Sequence, residues 1–294
     1  MHYFLGMEVA YLPQGTFLSQ KKFTHELLAQ TGFATSTPAV TPLPLSCKLM
    51  PDDGSLLPDP TLYRAIIGKL NFLTHTRPDL SYTVQTLSQF MQAPRDSHLH
   101  ALHHVLRYVN GTAGQGILLQ GSDHLTIQAY SDSDWASCPS TRRSVSGYVI
   151  MLGSSPISWR SKKQGTVSRS SSEAEYRAMA QTASEVTWLV RLFAELGVTS
   201  LKPVTLHCDN QSAIAIAKNP IFHERTKHIE IDCHFTRDKV LEGLLQLSYL
   251  PTHDQLADIF TKILPSPQFH QLLAKLGMSN PHSSLQGGVR ISPG

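Results

Sequence analysis

Apolar residues recur along this chain with two spacings, one typical of strands and one typical of helices. Near the N-terminus, residues 4–10 and 16–19 alternate on either side of a Pro-Gln-Gly turn, which predicts a β-hairpin. Residues 21–31 then have helical spacing and end at Gly32, a common helix terminator. Six prolines between residues 34 and 60 exclude a regular helix there and indicate an extended connector.

The pattern changes from helical to strand-like near residue 116. Before it, apolar residues spaced three and four apart predict helices over residues 62–76, 80–92 and 98–110. After it, strand patterns cover residues 116–119, 125–131, 144–152, 156–159, 204–208 and 244–250. Helical patterns cover residues 172–196, 211–218, 225–241 and 254–263. Strands first, followed by alternating helices and strands, predict a mixed α/β sheet covered by helices.

The composition is that of a folded chain. Its 294 residues correspond to about two domains. The 41% hydrophobic and 16% charged residues exclude a disordered chain or a coiled coil. The apolar stretch at residues 144–159 is too short and too polar to span a bilayer, so no membrane partner is expected. The four cysteines form no Cys-x-x-Cys pair, which favours a reducing intracellular compartment, with cytoplasm and nucleus both open.

Acidic residues number only 22, and several fall where predicted elements begin or end. Asp132 and Asp209 each follow a predicted strand, Glu175 lies at the start of the long helix, and Asp258 lies in the last one. Because the carboxyl ends of strands in an open α/β sheet meet at one edge, we expect these acids to gather there. Taken singly, each acid also has a structural alternative, as a turn acid, a helix cap or a capping-box member.

Gathered carboxylates repel one another unless a cation neutralises them. Oxygen ligands favour Mg²⁺ or Mn²⁺ over zinc. Two such ions close together can hydrolyse a phosphodiester, because one activates water and the other stabilises the leaving oxygen. The acids therefore predict a nuclease-type site with two ions.

Helical periodicity separates the two glutamates at the start of the long helix. Glu175 begins a helix face whose other members are apolar: Met179, Ala183, Val186 and Val190. This face should pack on the sheet, which directs Glu175 toward the strand ends. Glu173 lies about 200° around the helix and should face away, where it fits a capping box with Ser170.

Six segments, in order, resemble the ribonuclease H domain of copia-type LTR retrotransposons. They are AYSDSDWA at 129–136, SWRSKKQ at 158–164, SSSEAEY at 170–176, CDNQSA at 208–213, RTKHIE at 225–230 and QLADIFTK at 255–262. Upstream, YFLGME at 3–8, LSQ at 18–20, YRAIIGKL at 63–70 and TRPDL at 76–80 resemble the end of the same polyprotein's reverse transcriptase. The polymerase's Tyr-x-Asp-Asp turn is absent from the sequence, so no DNA synthesis is expected, and the chain resembles a truncated Pol fragment.

The resemblance implies an α/β fold with a ribonuclease H-like mixed five-stranded sheet flanked by helices, preceded by a small hairpin-plus-helices remnant of the reverse-transcriptase connection. The implied division is a reverse-transcriptase hairpin and helix at 1–33, a Pro-rich connector at 34–60, a helical connection at 61–115, a ribonuclease H-like domain at 116–278 and a disordered tail at 279–294.

The family's catalytic, metal-binding acids correspond to Asp132, Glu175, Asp209 and Asp258. Substrate contacts are expected from Arg160, Lys162, Lys163, Asn210 and Gln211, because hybrid duplexes are held through phosphates and 2′-hydroxyls. His253 lies near the position where related nucleases carry a mobile histidine that aids product release. The spacing of Thr252 and Gln255 around it also fits a capping box.

The predicted function is hydrolysis of the RNA strand of an RNA–DNA hybrid, with two Mg²⁺ or Mn²⁺ ions, as part of a Pol polyprotein. The expected partners are the hybrid and the rest of that polyprotein, and the sequence leaves the oligomeric state open. The alternative is a catalytically silent nucleic-acid-binding remnant. The four acids favour the enzyme, whereas the missing polymerase turn favours the remnant.

Overall fold

The computed structural model describes residues 2–121, 125–218 and 230–280. Its strands are β1 (His2–Phe4), β2 (Met7–Leu12), β3 (Gly15–Ser19), β4 (Gly116–Gln120), β5 (Ile127–Asp134), β6 (Val145–Leu152), β7 (Ser155–Lys163), β8 (Val204–Cys208), β9 (Leu245–Tyr249) and β10 (Met278–Ser279). Its α-helices are α1 (Lys21–Thr31), α2 (Thr61–Leu73), α3 (Ser81–Ser88), α4 (Asp96–Gly111), α5 (Ser171–Glu195), α6 (Gln211–Lys218), α7 (Glu230–Leu241) and α8 (Ser266–Lys275). Short 3-10 turns cover Pro78–Leu80, Thr252–Asp254 and Leu256–Phe260.

Most predicted helices form within a few residues of their predicted bounds. Helix α1 has the predicted range and ends at Gly32, which adopts a left-handed conformation with φ 76°. The predicted helix at 80–92 is shorter, since α3 ends at Ser88. Residues 225–229 of another predicted helix, and residues 281–294 of the predicted tail, lie outside the described residues.

The N-terminal sheet has the strand order β1-β2-β3-β4-β10, and all neighbours are antiparallel. The predicted hairpin is β2–β3, in which Val9 lies opposite Leu18. Strand β4 also joins this sheet, whereas residues 116–119 were predicted as the first strand of the ribonuclease H-like domain. That placement is wrong, because alternation predicts a strand without its partner, and Ile117 of β4 packs with the N-terminal helices.

The second sheet has the order β7-β6-β5-β8-β9. Strands β7, β6 and β5 are antiparallel, and β8 and β9 run parallel to β5. This confirms the predicted ribonuclease H-like sheet of mixed strands flanked by helices. Tyr130 on β5 pairs with His207 on the parallel strand β8. Asp132, within β5, and Asp209, just after β8, therefore lie at corresponding positions two residues further along.

Each face of the second sheet packs on a different set of helices. Helix α5 covers one face, where Met179 and Val186 join a core with Ile150. The other face contributes Val149 and Met151 to a core that α2, α3, α4 and α8 also form. The Trp159 indole of β7 donates a hydrogen bond of 3.0 Å to the carbonyl of Thr74, just after α2. The N-terminal helices and the second sheet therefore share one hydrophobic core.

Candidate active site

Asp132 lies on the central strand β5, directly opposite Gly147 on β6. It is 2% exposed and accepts a hydrogen bond from the Thr261 hydroxyl. The ammonium of Lys262 lies 3.5 Å from its Oδ2 atom. Gly147 makes this arrangement possible, because a Cβ there would lie 2.7 Å from side-chain atoms of both Phe260 and Thr261. The absence of a side chain at Gly147 thus lets Phe260 and Thr261 pack directly against the backbone of β6.

Glu175 approaches from the other face of the sheet, on the first turns of α5. The Ser170 hydroxyl caps this helix by accepting the amide of Glu173 at 3.2 Å. The resulting register buries Glu175, whose Oε1 accepts the amide of Ser133 at 3.0 Å. The buried amide of Gln164 also joins the two elements, donating to the carbonyl of Ala174 and to the hydroxyl of Ser133. Glu175 is therefore fixed beside Asp132.

Glu173 is directed elsewhere, as its periodicity predicted. Its carboxylate accepts the amide of Arg169 at 2.8 Å and pairs with Arg177 at 2.9 Å. It is buried, unlike a typical capping glutamate, and these two partners belong to α5 and the segment just before it. Its role is therefore to hold the start of the helix.

Asp209 follows β8 and is half-buried. Its Oδ2 accepts the Thr252 hydroxyl at 2.8 Å. The alternative in which Thr252 and Gln255 form a capping box is wrong, since Thr252 bonds Asp209. Gln255 caps the next turn itself, by accepting the amide of Ala257.

Asp258 lies in the 3-10 turn Leu256–Phe260, 1% exposed. The prediction of one helix over residues 254–263 is wrong, because two short 3-10 turns, Thr252–Asp254 and Leu256–Phe260, form there. The side chain of Gln255 donates to the carbonyl of Ser131 on β5 at 3.0 Å, and this attachment holds a short turn against the sheet in place of a longer helix. The Lys262 ammonium lies 3.0 Å from Asp258 Oδ1. Asp258 and Asp132 thus share one cation.

The electrostatics show that the four carboxylates act on one another. Burial raises the pKa of Asp132, and the charge of Asp209 adds to the rise. Burial and then the charges of Asp132 and Asp209 hold the pKa of Glu175 well above its usual range. Burial and Asp132 raise the pKa of Asp258 to about 7, against the opposing effect of Lys262. The fold therefore keeps four acids together although their ionised forms are mutually unfavourable.

The donor set fits hard divalent cations. Glu175, Cys208 and Asp209 each offer a ligand atom, and these atoms all lie within 4.8 Å of one another. Carboxylate oxygens dominate the set, which suits Mg²⁺ or Mn²⁺. The Cys208 thiol is a poor ligand for such ions, and burial followed by the charge of Glu175 raises its pKa, so it stays a neutral thiol near neutral pH.

Known sequences decide the family. Over 291 residues, which is 99% of this chain, it is 47% identical to a retrovirus-related Pol polyprotein from transposon RE2 of Arabidopsis thaliana. The chain belongs to the copia-type retrovirus-related Pol polyproteins. A Pol polyprotein from transposon TNT 1-94 of Nicotiana tabacum is 35% identical over 89% of the chain. The Pol segment spans about a fifth of the length of these curated relatives, 20% in both cases.

Two further comparisons add less. No family model matches the Pol segment. An N-terminal ribonuclease H domain from Mycobacterium tuberculosis covers 51% of it at 10% identity, with a TM-score of 0.36, and 98% of that domain is matched. Within the described ranges, the structure has no helix whose length and apolar character would let it cross a membrane.

The predicted substrate residues fall into two groups, one on β7 and one around Asp209. Arg160 and Lys162 are exposed on β7, on the sheet face that α5 covers. Lys163 points to the opposite face, where its ammonium donates to the side-chain oxygen of Gln89, just after α3, at 2.6 Å. Arg160, Lys162 and Lys163 all line one cavity of about 520 Å³ between α3 and β7.

The remaining predicted site residues lie around Asp209. Asn210 caps α6, because its side-chain oxygen accepts the amide of Ala213 at 2.9 Å. Gln211 is the exposed first residue of the same helix. His253 is exposed in the turn that carries Thr252, and its Nε2 lies 3.2 Å from the Asp254 carboxylate.

Sequence reasoning overlooked Lys262 and Cys208 as members of this cluster. The signal for Lys262 was present, since it follows Asp258 by four residues, a spacing at which opposite charges often pair. No comparable signal distinguished Cys208 from an ordinary buried thiol.

Proposed function

We propose that this segment hydrolyses the RNA strand of RNA–DNA hybrids within a Pol polyprotein. The observation that carries the proposal is the convergence of four acids into one group: Asp132 from β5, Glu175 from α5, Asp209 from the end of β8 and Asp258 from the 3-10 turn. Membership in the Pol family supports the same reaction. Because ionised carboxylates repel one another, four acids in one group destabilise the fold, and a functional role is the better explanation for their position.

The four carboxylates would hold two divalent ions, Mg²⁺ or Mn²⁺, in the working enzyme. When bound, such ions would activate a water and stabilise the leaving oxygen of the phosphodiester. Asp132, on the central strand of the second sheet, lies between two acids on opposite faces of that sheet. Glu175 lies on the face covered by α5, and Asp258 lies on the face covered by the 3-10 turn. The hydrogen bonds from Ser133 to Glu175 and from Thr252 to Asp209 fix the orientation of two of these groups in advance.

Contacts to the duplex are proposed for the exposed basic residues of β7. Lys162 lies two strands from β5, opposite Ser146, and Arg160 lies opposite Tyr148. At about 4.8 Å between neighbouring strands, this row is about 10 Å from the acids' strand. Phosphate contacts at this distance would orient a duplex without reading its sequence.

The test is cleavage of a labelled RNA–DNA hybrid by the purified chain, with Mg²⁺, Mn²⁺ or EDTA. We expect cleavage with either metal and none with EDTA, while single-stranded RNA and double-stranded DNA stay intact. Asp132→Asn should abolish the activity, and Glu173→Gln, which changes a carboxylate outside the group, should retain it. Activity that survives both EDTA and Asp132→Asn would refute metal-dependent hydrolysis.

The same assay addresses the alternative of a silent remnant. One observation favours the silent remnant. Large apolar side chains at the start of the N-terminal sheet are more than 60% exposed: Tyr3, Phe4, Leu5 and Tyr11. Such a surface is expected where a region packs against another part of a larger protein. Tight hybrid binding by a folded protein without any cleavage would select this alternative.

A further inference from the structure

A second cavity, of about 330 Å³, lies beside Gln89. Its walls come from the Pro-rich connector, from α3 and from the segment between β5 and β6. Two of the three cysteines that the structure describes line it, Cys47 from the connector and Cys138 from the β5–β6 segment. The cavity therefore brings together two thiols from distant parts of the chain, and neither belongs to the acid group.

The sulfur of Cys138 has a cation beside it. The Lys163 ammonium lies 3.8 Å from Cys138 Sγ, and it also donates to the Gln89 side-chain oxygen at 2.6 Å, which holds it in place. The backbone around the thiol is closed as well, because the Cys138 carbonyl accepts the Arg142 amide at 2.8 Å and the Cys138 amide donates to the Arg143 carbonyl at 3.1 Å. A positioned thiol thus faces a positioned ammonium, an arrangement that stabilises a thiolate.

The two thiols of the cavity differ in how easily they ionise. Burial opposes ionisation of Cys138, but hydrogen bonds from Ser140 and Thr141 and the charge of Lys163 outweigh burial and lower the pKa of Cys138 to about 7. Burial alone acts on Cys47 and raises its pKa. At neutral pH about half of the Cys138 population would be thiolate, against about 1% or less for Cys47. Cys138 is therefore the nucleophile of the pair.

The rest of the cavity indicates which reagents fit it. The side chains of Lys48 and Arg142 also line it, and since both residues are exposed they mark the side that opens to solvent. Among the described residues, no acid lines the cavity. Much of the remaining lining is apolar: Leu43, Leu49, Phe90, Val145 and Ile263. A small molecule with an apolar chain and an anionic end matches this surface.

We propose that this cavity is a modification site, in which Cys138 adds to small α,β-unsaturated carbonyl compounds that carry a carboxylate. The thiolate sulfur forms a bond to the β-carbon, and the electron pair of the double bond moves toward the carbonyl as an enolate. A proton from water then completes the α-carbon, so the net change is addition of S–H across the double bond and no oxidant is needed. Lys163 stabilises the thiolate before addition, and Lys48 and Arg142 attract the carboxylate. The site is separate from the four acids and does not depend on the proposed cleavage.

The experiment treats the purified chain near neutral pH with limiting 6-maleimidohexanoate, an unsaturated imide with an apolar chain and a carboxylate. Peptide mass spectrometry assigns each adduct to its cysteine. Cys138 should react at least about tenfold faster than Cys47 in the same protein, because a larger fraction of it is thiolate. The pH profile of its rate should report a pKa of about 7. Equal rates at the two cysteines, or no reaction of Cys138 in the folded protein, would overturn the proposal.

Two further comparisons test the cations. Lys163→Met should slow the addition at Cys138 by about threefold or more, whereas Lys275→Met, which alters a lysine paired with Asp254 at 2.8 Å, should change it by less than about twofold. In wild type, Cys138 should prefer 6-maleimidohexanoate to the uncharged N-ethylmaleimide by about threefold or more, relative to the same ratio in the urea-unfolded chain. Lys48→Met should reduce this preference.

The wild-type comparison requires no variant to fold. A reagent ratio equal to that of the unfolded chain would overturn the anionic class of reagent, and an unchanged rate in folded Lys163→Met would overturn the role of the ammonium. Either result would leave the proposed cleavage standing, since that activity is measured on the acid group.

Discussion

Gly147→Ala tests the position of the turn that carries Asp258. A glycine within a strand is normally about 0.5–1 kcal/mol less stabilising than alanine, so an uncrowded substitution would raise the free energy of unfolding. At Gly147, however, the new Cβ would lie 2.7 Å from Phe260 Cβ and from Thr261 Cγ2, and 3.2 Å from the carbonyl oxygen of Ala257. Ordinary contact requires the turn to move by about 0.7 Å or more, which typically costs about 1–3 kcal/mol. The sign of the change therefore distinguishes the two cases.

Urea unfolding of the metal-free protein measures this change. Gly68→Ala in α2 is the matched control, because its Cβ would meet nothing within 4 Å, and it should gain about 0.4–1 kcal/mol. Gly147→Ala should also reduce hybrid cleavage by about 10- to 100-fold, since a shift of about 1 Å in a catalytic group has effects of that size. A Gly147→Ala protein that is as stable as the Gly68→Ala control and fully active would show that the turn does not lie on β6.

Three further predictions concern the acids and the duplex. Glu175→Gln should reduce cleavage about 100-fold or more and leave the fold intact. Glu173→Gln should retain activity and lose about 1 kcal/mol of stability, measured by urea unfolding. The reverse pattern would contradict the register of α5. In EDTA, stability should fall as the pH rises from about 4 to 7. The reason is that Asp258 has a pKa near 3.8 in the unfolded chain and about 7 in the folded protein, so in this range only the folded carboxyl keeps its proton. Asp258→Asn should make stability depend less on pH. An unchanged pH dependence would exclude Asp258 as its source. Fluorescence anisotropy would measure the hybrid-binding constant at several salt concentrations. Lys162→Met should reduce the slope of log binding constant against log salt concentration by about one. An unchanged slope would show that Lys162 does not contact the duplex.

The long helix shows what periodicity alone can establish. The face that begins at Glu175 was predicted from spacing, and its apolar members Met179, Ala183, Val186 and Val190 are all buried against the sheet. A 25-residue helix gives the pattern seven turns in which to repeat, so its register is well determined. The same logic correctly separated Glu175 from Glu173.

The turn at Asp258 shows where periodicity fails. Apolar spacing over residues 254–263 suited a helix, but the conformation depends on Gln255 reaching the carbonyl of Ser131, 124 residues away. Strand β4 gives the same lesson, since its partners β3 and β10 lie far apart in sequence. Lys262 was overlooked because its importance comes from two buried acids on different elements. Local pattern identified the acids, and only the tertiary contacts showed how their charge is balanced.

The shared hydrophobic core has a consequence for proteolytic processing of a polyprotein. Val149 and Met151, on one face of the second sheet, pack in the same cluster as residues of α2, α3 and α4. A cut in the segment between α4 and β4 would therefore leave two pieces that still bury the same surface. Their separation would expose that surface to water, so a cut there should yield a complex of two chains that stay together.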